Sequence, residues 1–308
     1  HLPRYRQGDR RPRDPRHRGC EVINITKQMT EISLETDKQQ KVVNPWLNSA
    51  DTIKEIKDRR QPVDYHQIAA QARVLFLAED HFNHAIRQHL VRHAADLREA
   101  GITHYAIEAD EAGNVTFGKL GGNEPVDLSQ VDVGPGRADY EVAIKAISAH
   151  GIKIRAIDIN QSTRPDREAR EARLVKNINR LLQEDPNNKI AVLIGRLHTS
   201  RNTDIFEGIP SVGKRLMKAG VPTTNVIFTG GESRIPKVIT DAAVGAALAN
   251  QEFMLDFRSY ANLKHVPFGE GEADWVIHLP QQNTPSDNNW TLVDHRGEQH
   301  LHTSQLWW

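Results

Sequence analysis

The chain has 308 residues, enough to bury a substantial core as one large domain or two smaller ones, and its 40 basic and 40 acidic residues cancel. That balance removes any whole-molecule argument for nucleic acid or an anionic membrane, so no nucleic-acid partner is expected. A single cysteine, Cys20, excludes an internal disulfide framework and lies apart from every candidate site, which argues against a thiol nucleophile.

The first 20 residues crowd Arg4, Arg6, Arg10, Arg11, Arg13, Arg16 and Arg18 among Pro and Gly with almost nothing apolar to bury, the pattern of a disordered basic arm. Residues 21–61 are polar, with Val42, Val43, Trp46 and Leu47 as apolar anchors, and should pack on the core through an extended piece and a small helix over Ser49–Asp58. From there to residue 280 helical and strand-like patterns alternate, the mark of βαβ units and a mostly parallel sheet with helices on both faces.

Within this α/β domain, 62–280, a short helix over Tyr65–Ala72 leads into a strand over Arg73–Ala78. Phe82, Ile86, Leu90, Ala94 and Leu97 then recur at helical spacing, with Gly101 as the stop signal. A second strand covers Thr103–Ile107. Gly113–Gly136, rich in Gly with few large apolar residues, reads as a long loop of the kind that covers sites. A helix over Ala138–Ala149 stops at Gly151, a strand follows over Lys153–Ile157, and Ser162, Thr163 and Pro165 open a helix over Asp166–Gln183. A fourth strand runs over Lys189–Ile194. Beyond it come a helix at Val212–Lys218, a strand at Asn225–Phe228, an apolar helix over Ala242–Leu255 and a strand at Trp275–Leu279. The tail, 281–308, is polar and receives no assignment. No apolar run reaches the roughly 20 residues that cross a bilayer, so a soluble protein is expected.

The first four strands each run into an acid or an imidazole: Glu79 and His81, Glu108, Asp158, and His198. Ligands of open parallel sheets bind beyond the carboxyl ends of the strands, so residues spread over the chain converge there on one crevice. Strands one and four share a device, Ala78-Glu79-Asp80-His81 and Gly195-Arg196-Leu197-His198, in which a small residue lets the backbone pass close to a ligand while the following His projects from the loop. Arg164, Arg167 and Arg170, after the third strand, can reach the crevice or form a solvated face paired with Glu168 and Glu171. Asp158 can equally serve as a strand-end cap. His84, His89, His93, His104, His150, His300 and His302 read as surface histidines, despite the ligand-like spacing of His89 and His93.

This constellation resembles the superfamily of erythromycin-esterase-like hydrolases, haem-binding ChaN-like proteins and TIKI/TraB/GumN proteases, which includes the Ras-cleaving domain of bacterial toxins. The matching stretch runs from about Val74 to Leu279, with Ala78 where many members have Gly. The resemblance implies a site at the strand ends, in a bacterial cytoplasmic protein or in a secreted effector whose leader lies outside this sequence. Three functions follow as expectations. The first is a hydrolase in which His81 or His198 activates water against an ester, lactone or peptide bond, with Glu79 and Glu108 orienting the imidazoles. It lacks a Gly-x-Ser-x-Gly elbow, so direct attack by water is preferred. No cofactor is required in this reading, while a variant places Mn, Co or Zn on His81, His198, Glu79 and Glu108. The second is a haem- or iron-binding protein, and the third a non-catalytic member that binds a ligand or protein partner. Oligomeric state is left open.

Overall fold

A computed structural model of the chain describes residues 50–81, 83–120, 126–129, 131, 137–159, 166–202, 204–206, 208–231, 248–259, 273–280, 289–293 and 299–303. All of them belong to a unit spanning Trp46–Trp308. The basic arm and most of the polar segment lie outside these residues, as do Arg164 and the start of the expected helix at Ala242.

Strands β1 (Val74–Glu79) and β4 (Ile190–Gly195) are buried along their whole length. Continuous apolar runs, rather than alternating ones, are what a sheet covered on both faces requires. With β2 (His104–Asp110), β3 (Lys153–Asp158), β7 (Thr223–Gly230), β8 (Phe253–Asp256) and β9 (Trp275–Leu279) they form a seven-stranded sheet of order β3-β2-β4-β1-β7-β9-β8. Every pairing is parallel except β8 with β9. The fold is therefore α/β with a mostly parallel central sheet.

Alternate residues of each strand face opposite layers. Leu75 and Leu77 of β1, Tyr105 and Ile107 of β2, and Leu193 of β4 pack with Tyr65, Ile86, Leu90, Leu97, Tyr140 and Ile144. Those partners sit on α2 (Tyr65–Ala69), α3 (His84–Arg92), α4 (Ala94–Glu99) and α6 (Arg137–Ala149). Val74, Phe76, Val192 and Ile194 face the other way, onto Leu174, Ile178, Val212 and Leu216, which belong to α7 (Arg167–Glu184) and α9 (Val212–Lys218). Side-chain oxygens cap the helices: Asn83 accepts from the Ala85 N–H and Asp166 from the Ala169 N–H. Gly101, with φ of 86°, ends the helical stretch that precedes β2 in a left-handed conformation that glycine adopts without strain.

Some expectations need correction. The helix read through Leu97 is broken at His93, whose φ of −100° and ψ of 17° end α3 and start α4. The helix expected over Ala242–Leu255 is not helical at its end, because Phe253–Asp256 form β8 on the sheet edge. A short, wholly buried apolar run has no period that separates the two alternatives. Two small antiparallel pairs were not anticipated, β5 (Asp204–Phe206) with β6 (Ile209–Pro210), and β10 (Asn289–Val293) with β11 (Gln299–Thr303) in the tail. The short helices α1 (Ala50–Arg59), α5 (Asn114–Phe117) and α8 (Arg196–Thr199) and the 3-10 turns Glu111–Gly113 and Phe257–Ser259 complete the described elements. Among the described residues no helix is long and apolar enough to cross a membrane.

Candidate active site

Parallel register sets the frame of the site. The end of β1 lies beside the end of β4, with Glu79 opposite Gly195, and β2 lies on the far side of β4. Glu79 is 2% exposed and closes an apolar strand, so its charge needs partners. Arg87 of α3, itself fully buried, bonds Oε1 of Glu79 through Nη2 and the carbonyl of His81 at 2.9 Å. Tyr140 of α6 donates its hydroxyl to Oε2, and the Arg87 guanidinium lies 4.0 Å over the Tyr140 ring. His81 projects from the loop after β1 with Nδ1 3.4 Å from Glu79 Oε2. Its other nitrogen, Nε2, is 3.9 Å from Glu108 Oε2.

Glu108 leaves β2 where the register with β3 slips between Ile107 and Asp110. Such an irregularity re-aims a side chain at a strand end. One oxygen of Glu108 accepts the Gly195 N–H at 2.9 Å and the other accepts Nη2 of Arg170. The same guanidinium reaches Asp158 Oδ2 at 2.6 Å through Nη2 and both Asp158 oxygens at 3.1 Å through Nε. Its Nη1 is 3.5 Å from Nε2 of His198. That His198 nitrogen also lies 3.6 Å from Glu108 Oε1, while Nδ1 faces the buried Glu171 as a charge contact. Glu171 is fixed in turn by the Val212 N–H at 3.0 Å.

Gly195 has to be small. A Cβ there would sit 2.9 Å from His81 Nε2 and 3.4 Å from Glu108 Oε2. The imidazole therefore packs directly over the β4 backbone.

Among the described residues the cluster holds four carboxylates, Glu79, Glu108, Asp158 and Glu171, against the guanidiniums of Arg87 and Arg170. The negative surplus falls on the imidazoles. Hydrogen bonding to Glu79 raises the His81 imidazole above its ordinary value, opposed by partial burial and reinforced by the charges of Glu79 and Glu108. Burial works to raise Glu79, but Arg87 together with His81 and Tyr140 holds it below the usual carboxylate range. Burial opposes ionisation of Glu108 as well, and His198, Arg170 and the Gly195 N–H outweigh it. The two imidazoles differ in access: the His81 side chain is 39% exposed and that of His198 is 8% exposed.

Glu79, His81, Glu108, His198, Asp158 and Arg170 thus come together. Asp158 also accepts its neighbour's N–H at Ile159, so the capping role holds alongside the ionic one. The reading of Arg170 as a solvated partner of Glu171 is corrected: Arg170 turns inward, and Glu168 pairs with Arg215 at 2.6 Å. Arg167 occupies an exposed position on α7, and Arg164 lies outside the described residues. Sequence reasoning missed Arg87, Tyr140 and Glu171. For Arg87 a signal existed, since a basic residue near the apolar stripe of α3, eight positions after Glu79, can fold back onto it. The surface assignment fails for His89, His104 and His93, the first two buried and the third only 16% exposed at its side chain. His89 and His93 converge on Glu252, and these three offer ligand atoms within 4.8 Å of one another. His81, by contrast, meets Glu79 and Glu108 through opposite ring nitrogens, a geometry in which one ion does not reach all three.

No family model matches the sequence, and no curated protein matches it either. Solved structures do. A succinoglycan biosynthesis protein is 10% identical with a TM-score of 0.56, the match covering 74% of this chain and 96% of that one. A protein from Bacillus cereus is 11% identical with a TM-score of 0.51, over 74% and 96% of the two chains. ChaN of Campylobacter jejuni, solved with cofacially bound haem, is 14% identical with a TM-score of 0.43, over 69% and 89%. At these identities the likeness is one of fold alone.

Proposed function

We propose that the chain is a hydrolase in which His81 activates water against the carbonyl of an ester, lactone or peptide bond. The observation that supports this reading is the setting of His81: a solvent-reachable imidazole held between two ionised carboxylates from different strands. With Nδ1–H directed at Glu79, Nε2 keeps its lone pair for a water that reaches the partly exposed ring. A water at Nε2 gives up a proton to the ring as its oxygen adds to the carbonyl carbon. The imidazolium, stabilised by Glu79 and Glu108, then returns the proton to the leaving oxygen or nitrogen. Such proton transfer typically contributes about 10²–10⁴-fold.

The remaining residues act as positioning groups. Arg87 and Tyr140 hold Glu79 ionised and aimed, and Arg170 with the Gly195 N–H holds Glu108. His198, buried between Glu108 and Glu171, completes the support in preference to serving as the base. With guanidinium groups already on both carboxylates, we propose that this step runs without a metal or other cofactor.

The test is to incubate the protein with macrolide lactones, model esters and a panel of small GTPases, and to look for products heavier by one water or for peptide cleavage. Turnover of one class that falls about 10²–10⁴-fold in folded His81→Gln supports the reading. Turnover equal in wild type and variant, or no turnover of any class together with a haem Soret band that requires one of these histidines, overturns it in favour of a binding role.

A further inference from the structure

On the same face of the sheet as α2 and α6, helix α3 and the break that follows it carry a second imidazole pair that the proposed hydrolysis does not use. His89 and His93 are four residues apart, and their ring centroids are 4.3 Å apart. Glu252, which immediately precedes β8, lies between them. Its Oε2 is 2.9 Å from His89 Nδ1 and its Oε1 is 2.8 Å from His93 Nε2.

We infer that His89 Nδ1, His93 Nε2 and the Glu252 carboxylate form a binding site for a divalent transition-metal ion of the zinc class, distinct from the crevice of His81. Ligands about 2.0–2.1 Å from a tetrahedral ion stand roughly 3.3 Å from one another. The three donors here all lie within 4.8 Å, so small side-chain shifts admit an ion. Two imidazoles and a carboxylate are a donor set that suits zinc and leaves the fourth position to water.

The outer partners point the same way. Each imidazole binds a second group with the nitrogen that turns away from Glu252: His89 Nε2 is 2.8 Å from the Tyr65 hydroxyl, and His93 Nδ1 is 2.6 Å from Asp96 Oδ2. Partners of this kind fix the tautomer and ring plane of metal-bound histidines. His93 stands between carboxylates on both nitrogens, and a cation in place of one proton satisfies that arrangement. Arg92 fixes Glu252 Oε2 at 2.6 Å. An opening of about 200 Å³ bordered by Ala85, Arg92, Glu252, Leu279 and Pro280 adjoins the carboxylate. Bound there, the ion clamps α3 to the sheet edge at β8.

The full chain, stripped with chelator and dialysed, is titrated with Zn²⁺ and separately with Co²⁺. One equivalent of zinc, a raised unfolding temperature and the intense visible bands of tetrahedral Co²⁺ are expected. All three should be lost in His93→Ala and Glu252→Gln and kept in His81→Gln. Asp96→Asn leaves every ligand in place and should weaken binding about 10–100-fold, which keeps the test decisive where a ligand variant folds poorly. No binding at about 100 µM metal, binding that survives both ligand variants, or binding abolished by His81→Gln overturns the inference.

Discussion

Replacing Gly195 by alanine separates the packing of the site from the stability of the fold. The backbone at Gly195 has φ of −51° and ψ of 134°, which any residue adopts, so the substitution brings no backbone strain. An alanine there even reduces the entropy of the unfolded chain, by roughly 0.4–1 kcal/mol. The added methyl nevertheless falls 2.9 Å from His81 Nε2, where ordinary contact begins at 3.4 Å, so the ring retreats by about 0.5 Å. His81 is 39% exposed at its side chain and has room to do so. A displacement of about 1 Å at a reacting group costs on the order of 100-fold; half of that should cost about 10-fold in kcat/KM. The assay pairs ester or peptide turnover with urea unfolding of Gly195→Ala. We expect the rate to drop about 10-fold while stability stays within about 1 kcal/mol of wild type. An unchanged rate in a stable variant would refute the claim that His81 works from its seat over the β4 backbone.

Arg87→Met leaves the Glu79 carboxylate buried with Tyr140 but without its cation. Breaking a buried pair from one side costs about 3–5 kcal/mol, measurable by denaturant unfolding, and a loss below about 1 kcal/mol would show that the pair is not desolvated as described. The pH dependence carries two signs. His81 is raised in the folded chain, so its contribution to stability is complete below about 6.5 and fades as pH rises through its folded value, whereas hydrolysis, which needs the neutral ring, rises over that same interval. Glu79 and Glu108 are lowered, so their contribution is present above about 4.5 and disappears as pH falls through their folded values. A pH–rate profile whose lower limb lies at or under 6.5, or a stability curve that improves on acidification below 4.5, would contradict these assignments. Hydrolysis should persist after treatment with EDTA, even where the unfolding temperature responds to removal of an ion from His89, His93 and Glu252. Activity lost to chelator and restored by a divalent ion would reject metal-free water activation.

Much of the sheet is legible in the sequence because parallel strands covered on both faces need uninterrupted apolar runs, and Leu75-Phe76-Leu77 and Ala191-Val192-Leu193 have few other uses. The strand-end acids and histidines are legible for a related reason, since a charge that follows such a run has to be either solvated or paired. Gly195 is legible as a point of close approach, but what approaches is the His81 imidazole and not the ligand that the sequence suggests. What escaped depends on contacts between elements far apart in the chain. Tyr140 reaches Glu79 only because α6 packs beside α3, and Glu171 reaches His198 only from the opposite layer. Glu252 meets His89 and His93 across about 160 residues, so their spacing alone looked like a solvated helix flank. β8 escaped because three buried apolar residues carry no period.

Titration of the His81 ring by ¹H–¹⁵N NMR tests most directly whether distant carboxylates meet on one imidazole. A midpoint above 6.5 with the proton of the neutral ring on Nδ1, moving downward in Glu108→Gln, is the expected result. A midpoint at or below 6.5 that ignores that substitution would contradict the account.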